Sequence, residues 1–229
     1  AMLGKIVADS GAAQRIATNL VKAFGVNHVQ WALVITGFIV GVPMFYNVGF
    51  VILVPLIFTV AAATGLPLLY IGIPMLASLS VTHGFLPPHP SPSAIAVMFK
   101  ADLGKTLIYG MIIAIPVIVL AGPFFARTLK HIPASPLKEF VNPVVLTEDE
   151  MPGMTLSVIS AVLPVLLIMI ATGVDLLPIK DTTAGHIVAF LGNPPVALLI
   201  SVLFAAVMLG LRRGKTMKEL SEMISRSVT

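Results

Sequence analysis

Two histidines are the residues of this sequence best suited to chemistry. His83 and His89 lie within the run Val81–Pro92, and imidazole is the side chain whose charge changes near neutral pH. Each is a candidate for sensing or relaying a proton, and the alternative is a neutral, hydrogen-bonded ring that fixes a loop. Two histidines six residues apart, with no carboxylate or thiol nearby, lack the ligand set of a metal site. No metal site is therefore expected.

A second group of candidates consists of small polar residues and helix-breaking residues around the histidines. Hydroxyls and an amide suit a polyol chain, whereas the prolines and glycines have helix kinking or close packing as their alternative. Asn47 has a helix N-cap as its alternative role. The predicted substrate-binding residues are Pro43, Tyr46, Asn47, Gly49, Thr82, His83, Gly84, His89, Ser91 and Ser93.

Enzyme chemistry has little support in the sequence. There is no cysteine, and we find no nucleophile–base arrangement, Gly-rich phosphate loop or paired carboxylates. No cofactor is expected. The rival hypothesis from this class is a membrane-embedded metalloenzyme that uses the histidines, and a further rival is a channel subunit or scaffold.

The elements that position these residues must be membrane helices. Hydrophobic residues make up 57% of the chain and charged residues 10%, and no Lys, Arg, Asp or Glu occurs from Ala23 to Phe99. A soluble domain carries about 25% charged residues. The composition predicts an all-α, polytopic membrane protein. Because the basic residues fall between apolar runs rather than in one patch, no nucleic-acid partner is expected.

The region 29–63 is predicted to be a re-entrant helical hairpin. Trp31–Val42 and Val48–Ala63 are apolar runs of about 20 Å each as helices, too short to cross a core of about 30 Å comfortably. The predicted tip is Pro43–Asn47. The alternative is a single kinked and steeply tilted span.

The region 66–102 is predicted to be a discontinuous transmembrane helix. Four prolines occur within Pro87–Pro92, and proline both lacks an N–H and clashes with the preceding turn. The apolar run Leu66–Ser80 is therefore expected to stop before this segment. Ser91 and Pro92 are the predicted N-cap and first residue of the next helix.

The two breaks indicate a site for a small organic anion. A helix N-terminus carries free N–H donors and about half a positive charge, which suits a carboxylate. Such ends are predicted near Asn47–Gly49 and Ser91–Ala94, in a stretch that has no Lys or Arg. Two successive breaks at membrane depth are typical of transporters.

The remaining segments follow from apolar runs and from the positions of basic residues. Segments 1–28, 127–153 and 212–229 hold eleven of the 14 lysines and arginines, which predicts that all three are cytoplasmic in a multi-pass cytoplasmic (inner) membrane protein. The predicted segments are 1–28, the end of a span plus an interfacial helix; 106–126, 154–174 and 194–211, transmembrane helices; 127–153, a cytoplasmic loop; 175–193, an external loop; and 212–229, a cytoplasmic amphipathic segment.

Several runs resemble the gluconate permease (GntP) family. The run Thr82-His-Gly-Phe-Leu-Pro-Pro-His-Pro90 is the most specific of them. The resemblance extends over essentially the whole chain. The similar runs are Leu3–Ala17, Gly41–Thr59, Ser80–Pro92, Ala101–Gly110, Ala121–Pro123 and Thr147–Pro152.

The resemblance implies uptake of gluconate or a related sugar acid or small hydroxy acid by proton symport. Another small organic anion or an amino acid is the alternative solute. It also implies inverted repeats, each with a hairpin and a broken helix, and a full length about twice that of this chain. The chain would then be a fragment that covers roughly the middle of the family's length, and the remainder of the same polypeptide would complete it. A second copy of the protein, forming a homodimer, is a further candidate partner. Asn47 stands where the family often has an acidic residue.

Overall fold

Every regular element of the described chain is helical. The computed structural model describes residues 2–134, 146–175 and 177–225, and these ranges contain no β-strand. The predicted all-α class is confirmed. The α-helices are α1 Met2–Asp9, α2 Ala12–Phe24, α3 Val29–Gly41, α4 Tyr46–Thr64, α5 Leu68–Phe85, α6 Pro90–Met98, α7 Leu103–Val119, α8 Phe125–Thr128, α9 Met154–Asp175, α10 Thr183–Leu191, α11 Pro194–Ala205 and α12 Met217–Ser225.

Within the described ranges, four helical segments are long and apolar enough to cross a membrane. A fifth span results if α2 and the segment Val26–Gly41, which meet at an angle of 112°, are counted as one broken span. These segments confirm that the protein is a polytopic membrane protein. The four are Leu68–Met98, Leu103–Thr128, Met154–Asp175 and Pro194–Arg213.

Helices α3 and α5 run in the same direction and pack closely. Near their beginnings, the Gln30 side chain donates to the Tyr70 carbonyl at 2.8 Å. Near their ends, a Cβ atom on Gly41 would lie 3.0 Å from the Cβ of Thr82. Because the early residues contact early residues and the late ones contact late ones, the two helices are parallel.

Helix α4 runs antiparallel to α5, so the chain reverses at Val42–Phe45. A Cβ atom on Gly49 would lie 2.8 Å from Leu79, and one on Gly72 would lie 3.3 Å from Ile57. Early residues of α4 therefore contact late residues of α5. The helical arms predicted over 29–63 both pack against α5, and their re-entrant placement in a bilayer stays a prediction.

The close approach of α3 and α5 depends on small residues. A Cβ atom on Gly37 would lie 2.5 Å from the Met75 carbonyl oxygen, so any larger residue would push the two backbones apart. Beside it, the buried Ser78 hydroxyl donates to the Val34 carbonyl across the interface at 2.7 Å. Small residues and interhelical hydrogen bonds are the usual means by which helices associate in membranes.

The structure corrects the predicted boundaries of the broken helix. α5 continues to Phe85 rather than stopping at Ser80, and the interruption covers only Leu86–His89. The prediction that Ser91 is an N-cap and Pro92 the first helical residue is wrong. His89 is the N-cap and Pro90 occupies the first position. Since no N–H of a first helical turn needs an intrahelical partner, prolines at 90 and 92 both fit there.

The predicted segments 106–126, 154–174 and 194–211 fall within the apolar helical segments Leu103–Thr128, Met154–Asp175 and Pro194–Arg213, and their placement across a membrane stays a prediction. α7 passes through a π-helical turn, Leu120–Phe124, into α8. α11 passes through a second π-helical turn, Ala206–Gly210. Asn193 is the N-cap of α11 and Pro194 its first residue.

The range 175–193, predicted as an external loop, contains the helix α10. The Thr182 hydroxyl caps this helix by accepting from the Gly185 N–H at 3.1 Å. At its other end, a Cβ atom on Gly192 would lie 2.1 Å from Ala171 and 2.7 Å from the Leu167 carbonyl oxygen. The chain therefore folds back along α9, and the interpretation of this range as loop alone is wrong.

Two of the segments predicted to be cytoplasmic are joined through α2. Arg15 donates from Nε to the Pro152 carbonyl at 2.8 Å and from Nη2 to the carbonyls of Glu148 and Met151. The Gln14 amide both donates to and accepts from the Leu146 backbone. These bonds fix the chain just before α9 against α2.

The third segment predicted to be cytoplasmic, the tail from residue 212, also contacts the chain just before α9. Arg213 donates to the Glu150 carbonyl at 2.8 Å. Lys22 and the Glu148 carboxylate form an ion pair with both side chains largely exposed. The first segment, the 146–153 end of the predicted loop and the tail therefore meet at one end of the protein. Residues 135–145 and 226–229, which include Lys138 and Arg226 of the predicted cytoplasmic segments, lie outside the described residues.

The Lys22 ammonium holds the pKa of the Glu148 carboxyl below its usual value through a hydrogen bond and charge attraction. A carboxyl group whose pKa is lower in the folded state than in the unfolded state stabilises the folded protein at pH values above its unfolded-state pKa. This stabilisation is lost as the pH falls through its folded-state pKa. Because both partners are exposed, solvent screens the pair and its contribution is small.

We expect Arg15→Ala to destabilise the protein more than Lys22→Ala. Arg15 makes charge-assisted bonds to partly buried carbonyls, and losing bonds of this kind costs about 1.5–3 kcal/mol. Lys22 contributes only a screened surface pair. Melting temperatures of the two variants of the full-length protein in detergent measure the difference. Equal losses in both variants would contradict this account of the α2 contacts.

Candidate functional site

Three aromatic rings from the chain reversal and from the α5–α6 interruption form one cluster. The ring centroids of His83 and His89 are 4.7 Å apart, and Phe45 lies 5.7 Å from His83 and 6.5 Å from His89. Phe45 is the N-cap of α4, His83 lies in the last turn of α5, and His89 is the N-cap of α6. The two interruptions predicted from the sequence thus meet at these residues, which we call the His–Phe cluster.

A hydrogen bond from His89 joins the two interruptions directly. Its Nε2 lies 3.0 Å from the carbonyl oxygen of Gly41, the last residue of α3. Because a carbonyl oxygen only accepts, the proton of this bond lies on His89 Nε2. His89 is only 6% exposed, so the bond is shielded from solvent.

Two polar atoms at this site lack partners. His83 Nδ1 and Ser93 Oγ are two of the three buried side-chain polar atoms without a hydrogen bond in the described part of the chain. Buried polar atoms are nearly always hydrogen-bonded in folded proteins. The two atoms are therefore exceptions to this rule among the described residues.

The two helix starts differ in the number of backbone donors that they offer. In α4, the N–H groups of Phe45, Tyr46, Asn47 and Val48 have no hydrogen-bond partner among the described residues. The corresponding positions of α6 hold two prolines, which have no N–H, and the N–H of the N-cap His89 donates to the Leu86 carbonyl. Ser91 is left as the free donor there. The start of α4 therefore offers more free N–H donors than the start of α6.

Three of the predicted binding residues are packing residues in this conformation. Pro43 is buried in the reversal. Gly49 lies against the Leu79 side chain, where a Cβ atom would collide. Thr82 is fully buried, and its hydroxyl donates to the Ser78 carbonyl of its own helix at 2.8 Å.

Four other predicted residues are half-buried or exposed. The half-buried Tyr46 ring lies 6.0 Å from the ring of Phe50. Asn47, Gly84 and Ser91 are exposed, and a Cβ atom on Gly84 would meet nothing within 4 Å.

Two contributions to the site were not among the predicted binding residues. Phe45 supplies the ring that contacts both histidines, and no sequence pattern distinguishes it from the apolar residues around it. Gly41 supplies the carbonyl that holds His89, a role that any residue type has in its backbone. The feature of the sequence that could have indicated Gly41 is its lack of a side chain, because this permits close contact with Thr82.

Metal ligation finds no support in the geometry. The described residues contain no group of three or more His, Asp, Glu or Cys side chains placed to hold a metal ion. The histidine pair is enclosed by Phe45 and the Gly41 carbonyl, and such a pair does not complete the ligand set of a zinc site.

Several apolar spans, together with a chain reversal and a helix interruption that meet at the His–Phe cluster, define a multi-pass helical membrane protein. The chain belongs to the GntP permease family: the family model described as GntP family permease matches residues 1–229. The family membership expected from the sequence is confirmed. No solved structure matches the chain.

Named relatives support the same family. The chain is 50% identical over 228 residues to the Gnt-II system L-idonate transporter of Escherichia coli (strain K12), with 100% of this chain and 52% of that protein covered. It is 49% identical over 228 residues to a high-affinity gluconate transporter of the same organism, with the same coverage. It is 41% identical over 239 residues to a gluconate permease of Bacillus subtilis (strain 168), with 100% and 53% covered. The chain thus spans about half the length of these relatives.

We expect His89→Phe to lower the stability of the protein, because the ring is kept but the donor to Gly41 is lost. The loss of one such hydrogen bond costs about 1 kcal/mol. His89→Gln supplies an amide N–H donor in place of the imidazole N–H, and its stability is expected to be closer to that of the wild type. Melting temperatures of both variants in detergent measure this order. A Phe variant as stable as the wild type would show that the bond does not hold the reversal in place.

Proposed function

We propose that the full-length protein carries a sugar acid such as gluconate across the cytoplasmic membrane. The observation that carries this proposal is the meeting of two helix interruptions at the His–Phe cluster, with unpaired donors on both, in a chain of the GntP permease family. Interrupted helices at membrane depth persist where they line a cavity, and in transporters they form solute sites.

The carboxylate of the solute is proposed to bind at the start of α4. This end offers the N–H groups of Phe45–Val48, together with the positive end of the helix dipole. No Lys or Arg occurs between Ala23 and Phe99 to provide a full positive charge instead. Backbone amides therefore carry the anion recognition in this half of the protein.

The hydroxyl chain of the solute is proposed to extend toward α6. His83 Nδ1, Ser93 Oγ and the Ser91 N–H are the polar atoms available there. A sugar acid has a carboxylate at one end and hydroxyls along the remainder, so its chemistry matches the unequal ends of the site. Relatives named as gluconate and L-idonate transporters support this class of solute.

Proton coupling is proposed to involve His83 rather than His89. The Nε2 of His89 is engaged with the Gly41 carbonyl, whereas His83 has a free Nδ1. A free ring nitrogen can accept a proton without breaking a hydrogen bond of the fold. The remainder of the full-length protein is proposed to complete the site on the exposed side of Asn47, Gly84 and Ser91.

Uptake of labelled gluconate tests the proposal. Cells that lack their own gluconate permeases and express the full-length protein are expected to show saturable uptake, with unlabelled gluconate and L-idonate as competitors. A protonophore is expected to abolish accumulation, because a proton gradient would drive it. Absence of gluconate uptake at normal membrane abundance would contradict the proposed solute, and uptake insensitive to the protonophore would contradict proton coupling.

Substitution of His83 and Asn47 tests the site. His83→Ala and Asn47→Ala are each expected to reduce uptake about tenfold or more, because each removes a polar group from the solute path. The matched control is His186→Ala, an exposed histidine on α10. Membrane abundance, measured by immunoblot, should be unchanged in all three. Normal uptake by both site variants would refute the assignment.

A further inference from the structure

The short helix α1 contacts the chain reversal at Pro43 and Met44. Its buried face includes Leu3, Ile6 and Val7, which belong to the same apolar core as Met44 of the reversal. α1 also packs against α11 and α12. The helix therefore lies between the reversal and the part of the protein that leads into the tail.

Gly4 is the point of closest approach between α1 and the reversal. A Cβ atom at this position would lie 2.7 Å from the Pro43 carbonyl oxygen and 3.0 Å from the Cα of Met44. Both are backbone atoms, and Met44 is fully buried, so neither can turn aside as an exposed side chain would. Any residue other than glycine must displace the backbone of the reversal.

That displacement would reach the His–Phe cluster within one residue. Phe45 follows Met44, begins α4 as its N-cap, and contacts both His83 and His89 with its ring. The unpaired N–H groups proposed to bind the carboxylate begin at the same residue. A shift of the backbone at Pro43–Met44 therefore moves the ring and the donors together.

We infer that Gly4 is a positioning residue for the anion site: its missing side chain lets α1 set the position of the reversal from which α4 begins. Gly4 contacts the backbone of the reversal and not the proposed solute, so it acts through Phe45 and the first turn of α4. This inference rests on the proposed function. It adds a determinant of solute affinity from outside the two interrupted segments.

The test is a size series at Gly4 in the full-length protein, measured by kinetics of gluconate uptake. Gly4→Ala is expected to raise the apparent KM about tenfold, since small displacements of binding groups have effects of this order. Gly4→Val is expected to raise it further. Because alanine is a better helix former than glycine, weakening of α1 cannot explain the loss in the alanine variant.

The matched control is Gly173→Ala in α9, where a Cβ atom would meet nothing within 4 Å. Its KM is expected to equal that of the wild type. Membrane abundance and melting temperature are measured for every variant, and uptake is normalised to abundance. A rise in KM with Gly4→Ala, in uptake normalised to abundance, supports a positioning role, because a purely structural defect lowers the amount of folded protein and leaves the KM of the folded molecules unaltered.

An unchanged KM in Gly4→Ala, or a loss of maximal rate that follows abundance alone, overturns the inference. This failure is distinguishable from failure of the proposed function. If the wild-type protein takes up no gluconate, the function is wrong, whereas if it takes up gluconate with a KM that Gly4→Ala leaves unaltered, only the role of Gly4 is wrong.

Discussion

Backbone amides without partners inside a membrane protein are the constraint on which the rest of this structure depends. Each unsatisfied polar group in a hydrocarbon environment costs several kcal/mol, so a helix start at depth must face protein, water or a solute. The start of α4 has unpaired amides and lies beside the α5–α6 interruption. Close packing of α3 and α4 on α5 and the bond from His89 to Gly41 hold it there.

The two interruptions differ in form, one being a chain reversal and the other a short break within one apolar segment, and they also differ in chemistry. Prolines at positions 90 and 92 remove donors from the start of α6, while the start of α4 keeps all of its own. One end of the site therefore favours negative charge, and the other presents neutral polar atoms such as Ser93 Oγ. Under the proposed function, this asymmetry orients a solute that has one carboxylate and several hydroxyls.

The sequence predicted the helical class, the later apolar segments and the presence of the interruptions. The length of an apolar run and a cluster of prolines can be recognised from neighbouring residues alone. It misplaced the helix boundaries, since proline is tolerated inside apolar helices here, as at Pro55 and Pro74, and proline content alone does not locate a break. It missed α10, a short apolar helix that forms against α9. Ring contacts of Phe45 and the fit of Gly4 depend on which segments meet in three dimensions, which residue type and spacing do not encode.

A cryo-electron microscopy structure of the full-length protein in lipid nanodiscs with gluconate bound would locate the solute relative to the unpaired amides of α4. We expect the gluconate carboxylate about 3 Å from the N–H groups of Tyr46–Val48, with the hydroxyls directed toward His83 and Ser93. Pairing of these amides with other groups of the protein, with gluconate bound elsewhere, would refute the proposed anion site.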